Sequence, residues 1–239
     1  MSSPTWTADA LRSEAVPYSG TAWRMVEAQH VVSTMKLVDT LEEQELLEGL
    51  IDASKPPVPE DCAHLDYLLY TPFRYRLHGA AGSRFRRAGA GPGLLYAAEH
   101  VETAAAEMAH YRMLFFRESP DTRPPSGAAQ YTAFSMAVTT PVATDLTAPP
   151  LDADRAAWTD PVEYAPCQAL AETARTAGIE VLLSHSVRDA EGRRNVTVLA
   201  CAAFASPAPL ERQSWWLHAD ARSARAICEF PRRQLEFSA

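Results

Sequence analysis

The stretch from Asp160 to Phe204 constrains the fold most, because it carries a bounded helix followed by two apolar, strand-like runs. Asp160 suits an N-cap, Pro161 the first helical position, Glu163 the reciprocal member of a capping box, and Gly178 the C-terminal cap. Ile179 to Leu183 and Val196 to Phe204 then read as core strands, with Asp189-Ala-Glu-Gly192 turning between them. Upstream, Phe73 to Leu77 and Leu94 to Ala98 read as short strands. Val101 to about Arg117 reads as an alanine-rich helix and Tyr131 to Thr139 as an alternating strand. Residues 118–128 are polar with three prolines and read as a loop. Ser214 to Leu217 and Ile227 to Phe230 are expected to complete the sheet. The main domain therefore mixes helices and strands.

Residues 1–18 are polar and mixed, and are expected to fray. A helix is predicted from about Ala22 to Ser33, with Trp23, Val26 and His30 on one side. A second begins near Asp39, where Asp39 with Glu42, or Thr40 with Glu43, would form a capping box. Leu46, Leu47, Leu50 and Ile51 recur at helical spacing, and Lys55-Pro-Pro-Val-Pro59 stops the helix. Residues 20–60 thus read as a helical hairpin or lid ahead of the main domain.

With 239 residues the chain can remove roughly 70–75% of its unfolded surface from water, so it needs no stapling metal or disulfide. Its net charge of −8 disfavours general nucleic-acid binding, which depends on phosphate attraction. The four cysteines, Cys62, Cys167, Cys201 and Cys228, form no C-x-x-C and read as buried small hydrophobes of a reducing compartment. No apolar core of signal-peptide length opens the chain, and the best apolar run, Val196 to Ala205, is too short for a bilayer. A soluble cytoplasmic protein is expected. The seven histidines show no H-E-x-x-H and no zinc-like spacing, so no metal is expected.

Four segments could carry chemistry. Gly79 to Gly93 holds five of the ten glycines together with Arg84, Arg86 and Arg87. Glycine lets backbone approach a ligand, and guanidinium groups bind phosphate through two parallel bonds. The stretch matches neither a Walker loop nor a dinucleotide fingerprint, and composition alone favours a solvated, flexible loop. Glu107 sits among alanines in Glu102-Thr-Ala-Ala-Ala-Glu107, either facing water or aimed into a cleft, where it could stabilise developing positive charge. Tyr75 and Tyr96 can stack on a flat ring and hydrogen-bond, or simply pack in the core. Ser186 ends a strand beside His185, but neighbours on a strand point to opposite faces, and no G-x-S-x-G elbow is present. A serine hydrolase is disfavoured.

The order Phe73-Arg-Tyr75, Ser83-Arg-Phe85, Leu95-Tyr-Ala97, Glu102 to Glu107 and Ser186-Val-Arg-Asp189 resembles the RES-domain family, named for an Arg, a Glu and a Ser. The similarity runs from about residue 66 to the C-terminus, which implies an N-terminal helical extension over 1–65 and a RES domain over 66–239. Trp23-Arg-Met-Val-Glu-Ala-Gln-His30 looks like the extension of longer members. The resemblance implies an ADP-ribosyltransferase-like mixed sheet core of the α/β (α+β) class with a cleft for NAD. It implies hydrolysis or phosphorolysis of NAD as the activity. It also implies a type II toxin–antitoxin role with a helix-turn-helix antitoxin that blocks the cleft.

Position by position, the resemblance implies catalytic roles for Arg74, Glu107, Tyr96 and Ser186, and substrate binding by Arg74, Tyr75, Arg84, Tyr96 and Gln168. Arg74 and Arg84 would hold the pyrophosphate or its ribose, and Tyr75 and Tyr96 would pack on the nicotinamide side. Glu107 would stabilise the oxocarbenium-like charge. NAD is then substrate rather than cofactor, with inorganic phosphate as a candidate co-substrate. Some members carry a functional Ser just before a Cys-Gln-Ala segment. Here Ala165-Pro166 precedes Cys167-Gln-Ala169, so that Ser is missing. The alternatives are an ADP-ribosyltransferase acting on a macromolecule and a non-catalytic binding module. A homo-oligomer is compatible with the chain, and neither a membrane nor direct nucleic-acid contact is expected.

Overall fold

In the computed structural model, which describes residues 6–28, 37–75, 82–89 and 91–239, the organising element is a strand where the sequence predicts a helix. Val16–Glu27 forms β1, paired along its length with β3 (Ala129–Asp145), Trp23 opposite Ser135 and Met25 opposite Ala133. The strand is covered on both faces. Ala22 packs in the core that contains Leu69, Phe134 and Val196, whereas Met25 packs in the one that contains Met113, Tyr131 and Trp215. Apolar residues on both sides erase the period-two signal, so the helical expectation over 22–33 is corrected as far as residue 27; residues 29–33 lie outside the described residues.

The remaining strands are β2 (Leu95–Ala98), β4 (Val181–His185), β5 (Arg194–Val198), β6 (Glu211–Ala219), β7 (Ser223–Cys228) and β8 (Arg233–Ser238). Pairing runs β1–β2–β5–β4–β3 and returns from β3 to β1, while β6, β7 and β8 continue from the N-terminal half of β3. Among the described residues only β3–β4 is parallel, so the class is a mixed-sheet α/β fold, as expected. The second predicted strand beyond residue 196 ends at Val198, and residues 201–203 form a 3₁₀ turn instead.

The described helices differ in how much they bury against the rest of the fold. In α1 (Ala8–Ser13) Thr7 accepts from Ala10 N–H, and Leu11 is fully buried with Leu170 and Ala174, so residues 7–13 are anchored rather than frayed, while residues 1–5 lie outside the described residues. The helix α2 (Leu41–Ser54) realises the Thr40/Glu43 capping box. The helix α3 (Tyr67–Arg74) replaces the strand expected over 73–77, of which residues 76 and 77 lie outside the described residues. Asp66 caps it, and Leu68, Leu69 and Phe73 turn inward at helical spacing. Gly93 lets β2 begin against this helix, since a Cβ there would lie 2.2 Å from the Pro72 carbonyl oxygen. The helix α4 (Val101–Glu118) lays Ala104, Ala105 and Ala109 on the sheet, and these small side chains permit close approach.

After the short α5 (Arg155–Trp158), α6 (Ala165–Thr176) starts four residues later than the sequence predicts. Asp160 accepts from the N–H groups of Val162 and Glu163, but it caps a turn. A helix opening at Pro161 would put Pro166 in its interior, at a cost of about 3 kcal/mol or more; beginning at Ala165 places that proline in the first turn. The C-terminus is as predicted: Ile179 N–H bonds to Ala174 O, Gly178 N–H to Arg175 O, and Gly178 has φ +70°.

Two of the four cysteines are not free. Cys62 and Cys201 form a disulfide across a sequence separation of 139, while Cys167 and Cys228 are buried thiols. Closing a loop of that length stabilises by about 5 kcal/mol in the chain-entropy account. The two partners meet because the turn before α3 packs on the 3₁₀ turn after β5 in one core. Among the described residues, no helix is long and apolar enough to cross a membrane.

Candidate active site

A cavity of about 700 Å³ opens between α4 and the face of the sheet formed by β1, β2, β5 and β4, within the size range of small-molecule sites. On α4 it is lined by Glu107 and, one turn on, His110 and Tyr111; opposite stand Arg84, Tyr164 and Arg188.

Glu107 is held from two elements at once. Its Oε1 accepts from Ser186 Oγ at 2.7 Å and from Asn195 Nδ2 at 2.8 Å. Ser186 Oγ in turn accepts from the N–H groups of Arg188 and Asp189, both at 3.2 Å. Thr103, one turn before Glu107, donates to Asp189 Oδ2 at 2.6 Å, so two residues on one face of α4 grip the same turn. The Ser186 proton and both its acceptor positions are therefore committed, which suits a positioning role. His185 bonds Gly192 O through Nδ1 and takes no part.

Arg84 enters the cavity from a turn locked over the sheet edge. Ser83 and Arg86 exchange backbone bonds, and Gly82 has φ +69°, where a Cβ would lie 2.4 Å from Arg86 O, so only glycine fits. The Tyr96 hydroxyl accepts from Phe85 N–H at 2.9 Å and pairs with Ser83 Oγ at 2.9 Å. Gln168, buried on α6, donates to Ser83 O at 3.0 Å. Arg84 spends Nη1 on the carbonyls of Trp158 and Asp160, and its guanidinium lies 4.7 Å above the Tyr164 ring. Since a guanidinium has five donors, donors beyond those two bonds and a contact with the Cys167 thiol can meet an anion.

Arg24 of β1, Asn195 and His110 line the cavity and were not singled out from the sequence. Arg24 donates to Tyr96 O at 2.8 Å, and burial lowers its pKa to about 10, still cationic at neutral pH. The signal for it was present in Trp23-Arg-Met-Val26 but was masked by the helical reading. Asn195 was legible from its alternation with Val196 and Val198. Burial, reinforced by Arg188 and Arg117, lowers His110 to about 4, so its imidazole is neutral at pH 7. Burial raises Tyr96 to about 12, which keeps the hydroxyl protonated in its bonds to the turn.

The structure thus brings Arg84, Tyr96, Glu107 and Ser186 together, with Gln168 behind the Arg84 turn. It does not bring Arg74 or Tyr75 to the cavity. Arg74 ends α3, donates to Pro56 O and faces Asp52 at 3.7 Å, because the inward face of that helix is taken by Leu69 and Phe73. Tyr75 is exposed, and its carbonyl accepts from Arg86. Their expected place in the cleft is corrected accordingly. The predicted glycine loop is described only in part, Gly79 to Ala81 and Ala90 lying outside the described residues.

The family model of the RES domain matches residues 58–220. The chain belongs to the RES-domain family. The match takes in Arg84, Tyr96, Glu107, Ser186 and Asn195, while Arg24 reaches the same cavity from a strand outside it. The fold is similar to that of a chain in the crystal structure of the M. tuberculosis MbcT–MbcA toxin–antitoxin complex, with a TM-score of 0.51 at 14% identity over 86% of this chain and 89% of that one. No curated protein matches the sequence.

Proposed function

We propose that this RES-domain protein cleaves the bond between nicotinamide and ribose in NAD and serves as the toxin of a type II toxin–antitoxin pair. The observation that carries the reading is a carboxylate, Glu107, held by Ser186 and Asn195 in the same cavity as the guanidinium groups of Arg84 and Arg24. NAD asks for that combination: cations for its pyrophosphate, and an anion for the positive charge that grows on the ribose.

As the C1′–N bond breaks, its electron pair leaves with neutral nicotinamide, and C1′ takes on oxocarbenium character. Glu107 stabilises that charge and orients the ribose hydroxyls; removing one preorganised group of this kind commonly costs about 3 kcal/mol. Arg84 and Arg24 bind the pyrophosphate, charge-assisted and largely out of water. Water or inorganic phosphate then forms the new C1′–O bond, with the water proton passing to solvent. NAD enters as substrate, so this chemistry calls for no separate cofactor. Arg74 and Tyr75 have no part in the reading.

The toxin role rests on family membership and on the neighbouring fold being one chain of a toxin–antitoxin complex. A helix-turn-helix antitoxin that covers the cavity mouth is the proposed partner, and the cytoplasm the proposed compartment. The test is incubation of the purified protein with NAD, with and without phosphate, followed by mass spectrometry. Loss of NAD with release of nicotinamide supports the reading, and ADP-ribose or its 1-phosphate identifies the acceptor. Unchanged NAD overturns it.

A further inference from the structure

Three polar atoms on the cavity floor have no hydrogen-bond partner among the described residues, although all are buried: Ser184 Oγ, Thr197 Oγ1 and Asn195 Oδ1. Ser184 and Thr197 are 1% and 0% exposed. Buried polar atoms are nearly always paired, so three orphans on one wall mark a place where a ligand supplies the partners. Register places them together. Ser184 stands opposite Asn195 across β4–β5, and Thr197 is the diagonal neighbour two residues along the same face.

The chemistry of the three atoms is unequal. A carboxylate only accepts, so the Asn195 amide must turn its Nδ2 toward Glu107, which fixes Oδ1 as the unpaired acceptor in this wall of the cavity. The two hydroxyls can each donate. One fixed acceptor beside two donors is the complement of a primary carboxamide: N–H to Asn195 Oδ1, and C=O from Ser184 and Thr197. A carboxylate in the same place would set an oxygen lone pair against Asn195 Oδ1, with the Glu107 charge directly behind it.

We infer that Ser184, Asn195 and Thr197 form a carboxamide-reading subsite that makes the protein select nicotinamide over nicotinic acid. The inference rests on the NAD reading for the identity of the ring, and adds specificity-determining residues to it. Because Asn195 bridges the subsite to Glu107, the carboxamide that docks there sets its own ring, and with it the scissile bond, beside the carboxylate.

The test uses the full chain with NAD and its nicotinic acid analogue as substrates, and with free nicotinamide and free nicotinic acid as ligands in calorimetry. The wild-type protein is expected to cleave NAD at least about 100-fold more efficiently in kcat/KM, and to bind nicotinamide but not nicotinic acid. The near-isosteric double variant Ser184→Ala with Thr197→Val is expected to bind nicotinamide about tenfold more weakly without a lower Tm. Equal cleavage of both dinucleotides, or wild-type nicotinamide affinity in the double variant, overturns the subsite while leaving the NAD reading intact. Selective nicotinamide binding with no NAD cleavage supports the subsite and overturns the NAD reading.

Discussion

Ser186 donates its hydroxyl proton to Glu107 Oε1 at 2.7 Å, and the same hydroxyl accepts from two backbone N–H groups. The serine is therefore a fastener between α4 and the β4–β5 turn. Ser186→Ala removes one of the two donors to Glu107 Oε1 and leaves the Arg188 and Asp189 N–H groups without their partner. Unfolding free energy is expected to fall by about 1–3 kcal/mol. NAD cleavage is expected to slow about 10–100-fold, mainly in kcat, with no covalent intermediate trapped from the wild-type protein. Urea melts and single-turnover assays check this, and a covalent adduct on Ser186 would show the serine to be a nucleophile instead.

Arg84 and Arg74 separate the geometry from the motif order. Arg84→Ala removes a guanidinium with free donors inside the cavity, whereas Arg74→Ala removes one tied to Pro56 O outside it. The first is expected to raise KM for NAD about 10–100-fold, the loss of one or two charge-assisted bonds. The second is expected to leave KM within about twofold. Steady-state kinetics on the two variants decide it, and the reverse ranking would return the phosphate role to Arg74.

His110 gives the fold a pH dependence. Burial first, then Arg188 and Arg117, bring its pKa down to about 4 from the ordinary 6.5. The unfolded chain therefore binds the proton between these values while the folded one does not, so stability falls as pH drops from about 6.5 to 4. The side chain is partly solvated, which reduces the full linkage to about 1–2 kcal/mol. His110→Gln should lose less stability than wild type between pH 7 and pH 4.5 in urea melts. Parallel losses would show that the imidazole titrates normally.

Elements with chemical punctuation were legible in the sequence. Gly178 ends α6 as read, the Thr40/Glu43 box opens α2, and α4 follows its alanine spacing. Elements whose signal depends on what covers them were not. In β1, Ala22 and Met25 feed two different cores, which removes the alternation. In α3, Pro72 and the aromatic pair Phe73 and Tyr75 imitate a strand until Leu68, Leu69 and Phe73 are seen to share one buried face. Asp160 caps a turn because Pro166 denies it the helix. The site divides in the same way. Glu107, Arg84, Tyr96 and Ser186 converge, each close to a well-bounded element. Arg24 was hidden by the misread strand, and Arg74 was carried by motif order to a position that faces Pro56.

In the proposed reaction the Glu107 carboxylate offsets the positive charge that grows on the ribose as its bond to nicotinamide breaks. Glu107→Gln keeps an oxygen to accept from Ser186 and Asn195 and removes only the charge, so the variant should fold with the wild-type Tm. Nicotinamide release from NAD, followed by chromatography, is expected to fall about 100–1,000-fold. Release at the wild-type rate by the folded variant would contradict the account.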